Sequence, residues 1–169
     1  MADLSATYFS TIILVFRVVF GLVFAGHGWG KRKGGIDGAA KSFESKGIRP
    51  GRVHAQLASL TEIGTGLMIA FGLLLPFAAA GVVGVMVVAG WTLRNNGFWI
   101  LNQGWEYTLM LALTAALLAG LGAGDYSLDA VFDLVDPLNG LVGVALALGI
   151  GVMAGVGHLA AFYRPPPTD

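Results

Sequence analysis

The chain has 169 residues, 56% hydrophobic and only 12% charged, with a mean hydropathy of +0.74, 26 glycines, no cysteine and zero formal net charge. Soluble domains carry about 25% charged residues, so this composition fits a single membrane domain over 1–169 and leaves no room for a separate soluble one. Zero net charge argues against a nucleic-acid partner. The lack of cysteine excludes disulfides, thiolate metal sites, thiol nucleophiles and cysteine-held iron–sulfur clusters, so any redox chemistry needs a bound cofactor or a partner subunit.

Read from the N-terminus, Met-Ala-Asp-Leu-Ser-Ala-Thr has no basic segment, and no small-x-small cleavage site closes the first apolar run. Residues 8–27 therefore read as a retained span. Arg17 lies in the middle of that run; near a bilayer centre a lone arginine costs about 3 kcal/mol on insertion scales and persists where it meets a partner or a polar cavity. The loop that follows carries Lys31, Arg32, Lys33, Lys41, Lys46, Arg49 and Arg52 against Asp37 and Glu44. Within it Ile36, Ala39, Ala40 and Phe43 share one helical face up to Gly47, which predicts a short interfacial helix, a plain solvated loop being the alternative.

A second span follows at 54–75. Ala55, Ser59, Glu62, Thr65 and Gly66 line one face, and Leu57, Leu60, Ile63, Leu67 and Phe71 the other. Small and polar residues mark the helix–helix side, so Glu62 points into the bundle. Leu75-Pro76-Phe77 reads as a tight hairpin into a third span at 77–94, with Pro76 where a helix start tolerates it. A fourth span covers 105–123. Asp136-Pro137-Leu138-Asn139 forms a turn and cap before a fifth at 139–163. The fold expected is all-α: a polytopic membrane helical bundle with a four-helix core over 8–130, a fifth C-terminal transmembrane helix, and the interfacial helix in the first loop.

Basic residues set the orientation. The N-terminal tail has none, the first loop is rich in them, Arg94 borders the third loop, and Arg164 follows the last span. The fourth loop carries Asp125, Asp129, Asp133 and Asp136 with no basic residue. The positive-inside rule then places the N-terminus outside and the C-terminus in the cytoplasm, as for a protein of the bacterial cytoplasmic membrane.

Two groups of polar residues are candidates for chemistry. Counting inward from His27 and His54 puts Arg17 and Glu62 at similar depth, which predicts an ion pair serving either helix register or proton and ligand handling. As a register device, the pair predicts that Arg17→Leu with Glu62→Leu is tolerated better than either change alone. The second group is His27, His54, Arg94, Trp105, Glu106 and Tyr107, with Trp91, Trp99 and His158 nearby. An interfacial aromatic belt with a snorkelling Arg94 accounts for much of it. The functional reading is a quinone or similar amphipathic ligand held by histidine and carboxylate. The histidine spacing matches no metal signature, so no metal site is expected. Gly151-x-x-x-Gly155 suits close helix contact, within the chain or with another subunit.

Taken in order, these residues resemble the DoxX-like membrane proteins. The likeness runs through Arg17, His27-Gly28 with a following lysine, Gly47-Ile-Arg-Pro50, Glu62-Ile-Gly-Thr-Gly-Leu67, Gly104-Trp-Glu-Tyr107 and Gly122-Ala-Gly-Asp-Tyr-Ser-Leu-Asp129, about 14–130. It implies a four-helix membrane bundle linked to redox complexes, among them a thiosulfate:quinone oxidoreductase. It singles out Arg17, His27, Glu62, Glu106 and Asp129. Asp125 stands where the family usually has a basic residue, and the fifth span is additional. The expectation is an accessory subunit of a quinone-linked membrane complex, not a complete enzyme alone, with quinone as its non-covalent ligand. Its partners would be the lipid bilayer and other membrane or peripheral redox subunits. The alternative is a purely structural or assembly subunit without chemistry of its own, and a small-solute or lipid carrier ranks behind both.

Overall fold

The computed structural model describes residues 2–165, and the chain there is helical, with a single isolated β-bridge between Ile48 and Tyr163. In chain order the helices are α1 (Ala2–Lys33), α2 (Ile36–Ser45), α3 (Gly51–Phe71), α4 (Leu75–Leu93), α5 (Glu106–Leu121), the one-turn α6 (Leu128–Val131) and α7 (Val135–Leu138), and α8 (Gly140–Phe162). Short 3-10 turns at Arg94–Asn96 and Ile100–Asn102 lie between α4 and α5. The bundle is all-α, as the apolar runs predict.

Helices occupy all five expected spans, but they are not equivalent. Three are long and apolar enough to cross a membrane: Leu4–Lys33, Leu75–Asn96 and Gly140–Phe162. The chain is accordingly an integral membrane protein. α5 has only 16 residues, about 24 Å of helix. α3 is long enough but does not reach the same apolarity, because His54, Gln56, Ser59, Thr61, Glu62 and Thr65 lower its hydropathy.

Glycine sets the first packing layer. A Cβ on Gly21 would lie 2.4 Å from the Gly66 carbonyl oxygen, and one on Gly66 would lie 2.5 Å from that of Gly21. Gly28 similarly meets the Ser59 carbonyl at 2.5 Å, and the Ser59 hydroxyl donates to the Gly28 carbonyl at 2.8 Å. α1 and α3 therefore touch backbone to backbone, antiparallel, with Gly21 beside Gly66 and Ala70, and Gly28 beside Ser59 and Glu62. Only residues without side chains allow this approach.

α4 packs on α3, α5 and α8 and fills the centre. Leu75, Val82 and Met86 join Ile13, Phe24, Ile69 and Leu118 in one apolar cluster. The hairpin before α4 turns three residues earlier than expected. Gly72 takes a left-handed conformation (φ 64°) and ends α3, and Leu74 follows with φ 47°. Pro76 is already in the first turn of α4, where its missing N–H costs nothing.

The Gly151-x-x-x-Gly155 motif is spent inside the chain. A Cβ on Gly151 would sit 2.6 Å from Val83 Cβ, and one on Gly155 2.7 Å from Val87 Cβ. α8 thus lays its glycine face on α4. Gly157, two residues beyond Gly155 and so on another face of α8, has nothing within 4 Å. Adding a methyl at a tight site costs about 1–3 kcal/mol. Gly151→Ala should therefore lower the unfolding free energy of the purified protein in micelles by that amount, with Gly157→Ala close to neutral. Equal effects of the two changes would contradict this packing.

Candidate functional site

The expected Arg17–Glu62 pair is not formed. The α1–α3 register places Glu62 beside Gly28, so Arg17 and Glu62 are about ten residues, roughly 15 Å, apart along the helix axes. The sequence count assumed that His27 and His54 mark one level. They do not, because α1 runs on to Lys33 and the start of α3 lies beyond His27.

Arg17, 1% exposed, lies instead at the α3–α4 turn. Its Nη1 donates to the Ala70 carbonyl at 2.6 Å, and its Nη2 donates to the Tyr126 carbonyl. The guanidinium also fills the space where Gly72 has no Cβ. Asp129, equally buried, faces it electrostatically and accepts the Leu74 and Leu75 amides at 2.6 and 3.0 Å. A cation thus closes the C-terminal end of α3 and an anion the N-terminal end of α4, the signs that the two helix dipoles favour. Ser127 caps α6 by accepting the Ala130 amide at 3.1 Å. Asp125, where the resemblance would have a basic residue, accepts from Ser10 Oγ at 2.7 Å and ties the same loop to α1.

Glu62, 3% exposed, pairs with Lys31, whose Nζ is 2.5 Å from Oε1. Its Oε2 is buried and makes no hydrogen bond within the protein. This pair sits in the wall of a cavity of about 640 Å³ framed by α2, α3, α4 and α8, within the ~300–1,000 Å³ range of ligand pockets. Its walls are mostly apolar, among them Phe43, Leu57, Val85, Met86 and Ile150, and Thr61 and Thr92 add hydroxyls. At its far end stand His54 and His158, ring centroids 4.6 Å apart and edge to face, with Phe162 against both. Neither nitrogen of His54 nor Nε2 of His158 has a hydrogen-bond partner in the protein, and all three are buried.

The expected ligand cluster therefore divides. His54 lines the cavity, as does His158. His27 lies on the exposed side of α1, with Nδ1 3.1 Å from the Val23 carbonyl oxygen. Arg94 stacks over Trp91 and donates to the Tyr163 hydroxyl at 2.9 Å. Trp105 packs edge to face on Phe98, and Glu106 accepts the Ile100 amide at 2.9 Å. Tyr107 is exposed. None of His27, Arg94, Trp105, Glu106 and Tyr107 borders the cavity; Arg94, Trp105 and Glu106 organise the α4–α5 connection. Among the described residues no cluster of three or more metal-ligating side chains occurs.

Lys31 follows His27-Gly28 in the family likeness, but as a partner for Glu62 it escaped the sequence reading because it was counted with the solvated loop. Its spacing carried the signal: Arg17, Phe24, Gly28 and Lys31 repeat at +7, +4 and +3 on one helical stripe. α2 forms over Ile36–Ser45 as the apolar spacing predicts, but Ala39 and Phe43 line the cavity. Behind it, the Arg164 amide donates to the Gly47 carbonyl at 2.7 Å and the Arg49 amide to that of Phe162 at 3.3 Å, strapping the α2–α3 loop to the end of α8.

Removing one partner of a buried charged contact costs about 3–5 kcal/mol. Arg17→Leu and Asp129→Ala should each do so, and should couple in a double-mutant cycle read by denaturant unfolding. Arg17→Leu and Glu62→Leu should instead add within about 0.5 kcal/mol. Strong coupling of Arg17 to Glu62 would restore the pairing rejected above.

The DoxX family model matches residues 12–95, from the first turns of α1 to the end of α4. That segment includes Arg17, Lys31, His54 and Glu62; Glu106, Asp129 and His158 lie beyond it. No curated protein and no solved structure matches the chain.

Proposed function

The chain belongs to the DoxX-like family, and on that premise we propose that it is the membrane subunit of a quinone-linked redox complex, its cavity between α2, α3, α4 and α8 being the quinone site. The observation that carries this reading is a largely apolar cavity with unsatisfied polar atoms at both ends: Glu62 Oε2 at one, His54 at the other. Buried polar groups normally find partners, and an amphipathic ring with oxygens on opposite edges, protonated in its quinol form, supplies them. Bound there, a quinone would contribute two-electron, two-proton chemistry. The chain's own part is to seat the ring between apolar walls, hold its oxygens at Glu62 and His54, and connect Glu62 through Lys31, whose side chain is 29% exposed, to water. Electrons come from a partner subunit. The basic loop and the Asp-rich loop support an N-terminus outside and a C-terminus in the cytoplasm.

The assembly alternative finds its support in Arg17 and Asp129, whose hydrogen bonds are all architectural. Those residues sit apart from the cavity, so the two readings separate by mutation. In the native membrane complex, Glu62→Gln and His54→Phe should each lower quinone-linked electron transfer at least tenfold without changing subunit composition, while Glu106→Gln leaves it near the native rate. Full activity in both cavity variants would favour the assembly role. For orientation, a C-terminal fluorescent-protein fusion should glow and a C-terminal alkaline phosphatase fusion stay inactive; the reverse would invert the topology.

A further inference from the structure

We propose that the cavity discriminates by redox state, holding the dihydroxy, quinol form of its ligand in preference to the dicarbonyl, quinone form. The inference rests on the reading of the cavity as a quinone site. Its basis is the hydrogen-bonding character of the two polar ends.

Glu62 spends Oε1 on Lys31 at 2.5 Å and leaves Oε2 buried and unserved. A carboxylate in an ion pair accepts hydrogen bonds and donates none. The ligand atom that satisfies Oε2 must therefore carry a proton. A quinol O–H does so; a quinone carbonyl would bring two acceptors together and leave both unpaired, which costs more than the missing bond itself. The other end does not choose. A neutral imidazole offers one N–H and one bare nitrogen, and both ring nitrogens of His54 are without partners here, so an imidazole at this end takes either a hydroxyl or a carbonyl. Selection thus falls on Glu62.

The spacing is right for one ring between the two groups. Glu62 and His54 are eight residues apart on α3 and both line the cavity, about 12 Å along the axis. A six-membered ring with para oxygens and a hydrogen bond at each end spans about 11 Å. Lys31 is the competing donor, since its ammonium has further N–H groups. Its side chain is 29% exposed against 4% for Glu62, so water can serve Lys31, whereas Oε2 has only the ligand.

The test uses the full chain in lipid nanodiscs, titrated calorimetrically with a short-tailed benzoquinone and, under argon, with its two-electron-reduced quinol. The quinol should bind about tenfold more tightly, the worth of one charge-assisted hydrogen bond; for a two-electron couple, that ratio raises the bound midpoint potential by about 30 mV. Glu62→Gln, whose amide both donates and accepts, should bring the two affinities together. The native ratio decides even if that variant misfolds. Equal affinities, or tighter quinone binding through Lys31, would overturn the preference and leave the site standing. Binding of neither form would overturn the site as well.

Discussion

Direct backbone contact between α1 and α3 fixes everything else in this bundle. With Gly21, Gly28 and Gly66 at the crossing, the helices cannot slide by a turn without driving a side chain into a carbonyl. In a membrane, where burial of apolar surface gives little advantage over lipid, such close packing is a main source of helix association. The register it sets brings Arg17 level with the α3–α4 turn and Lys31 level with Glu62. Two charged residues of one helix thereby meet two different environments.

At the turn, charge is spent largely on architecture, with Arg17 Nε left buried and unpartnered. Arg17 and Asp129 bind backbone groups at helix ends that lack intrahelical partners, so their burial is offset by hydrogen bonds and dipoles. In the cavity the reverse holds. Glu62 is only half satisfied, and His54 is not satisfied at all. A buried polar group left without a partner costs about 1–3 kcal/mol. Structural charges and ligand-facing charges are thus separated by what they face, helix ends for Arg17 and Asp129 and a cavity for Glu62 and His54, a distinction that proximity to the bilayer centre does not make.

Much of the fold was legible in the sequence because apolar run length and small-residue faces are local signals. All five long helices, the loop helix ended by Gly47, and the inward face of Glu62 follow from them. What failed was relative depth. Pairing Arg17 with Glu62 needed the offset between two helices, and a loop boundary misjudged by six residues at Lys33 moved it by two turns. The same boundary hid Lys31. His27, Trp105, Glu106 and Tyr107 share a stretch of sequence with interface chemistry, but whether a side chain borders a cavity depends on which helix stands opposite. That information is tertiary. The role of Asp129 was reachable only through resemblance, since its partners are amides 54 and 55 residues away.

The walls of the cavity are drawn from Lys31 toward one end of the chain and His158 toward the other, and the strap from Gly47 to Arg164 ties the α2–α3 loop to the end of α8. During synthesis, α1 to α4 are made long before α8 exists. Until α8 lays its glycine face on α4, the groove holding Glu62 and His54 is open along one side to lipid. The ligand site is therefore the last part of the protein to be completed, and a nascent chain halted before α8 would already have its helix-end charges in place but no complete cavity to load.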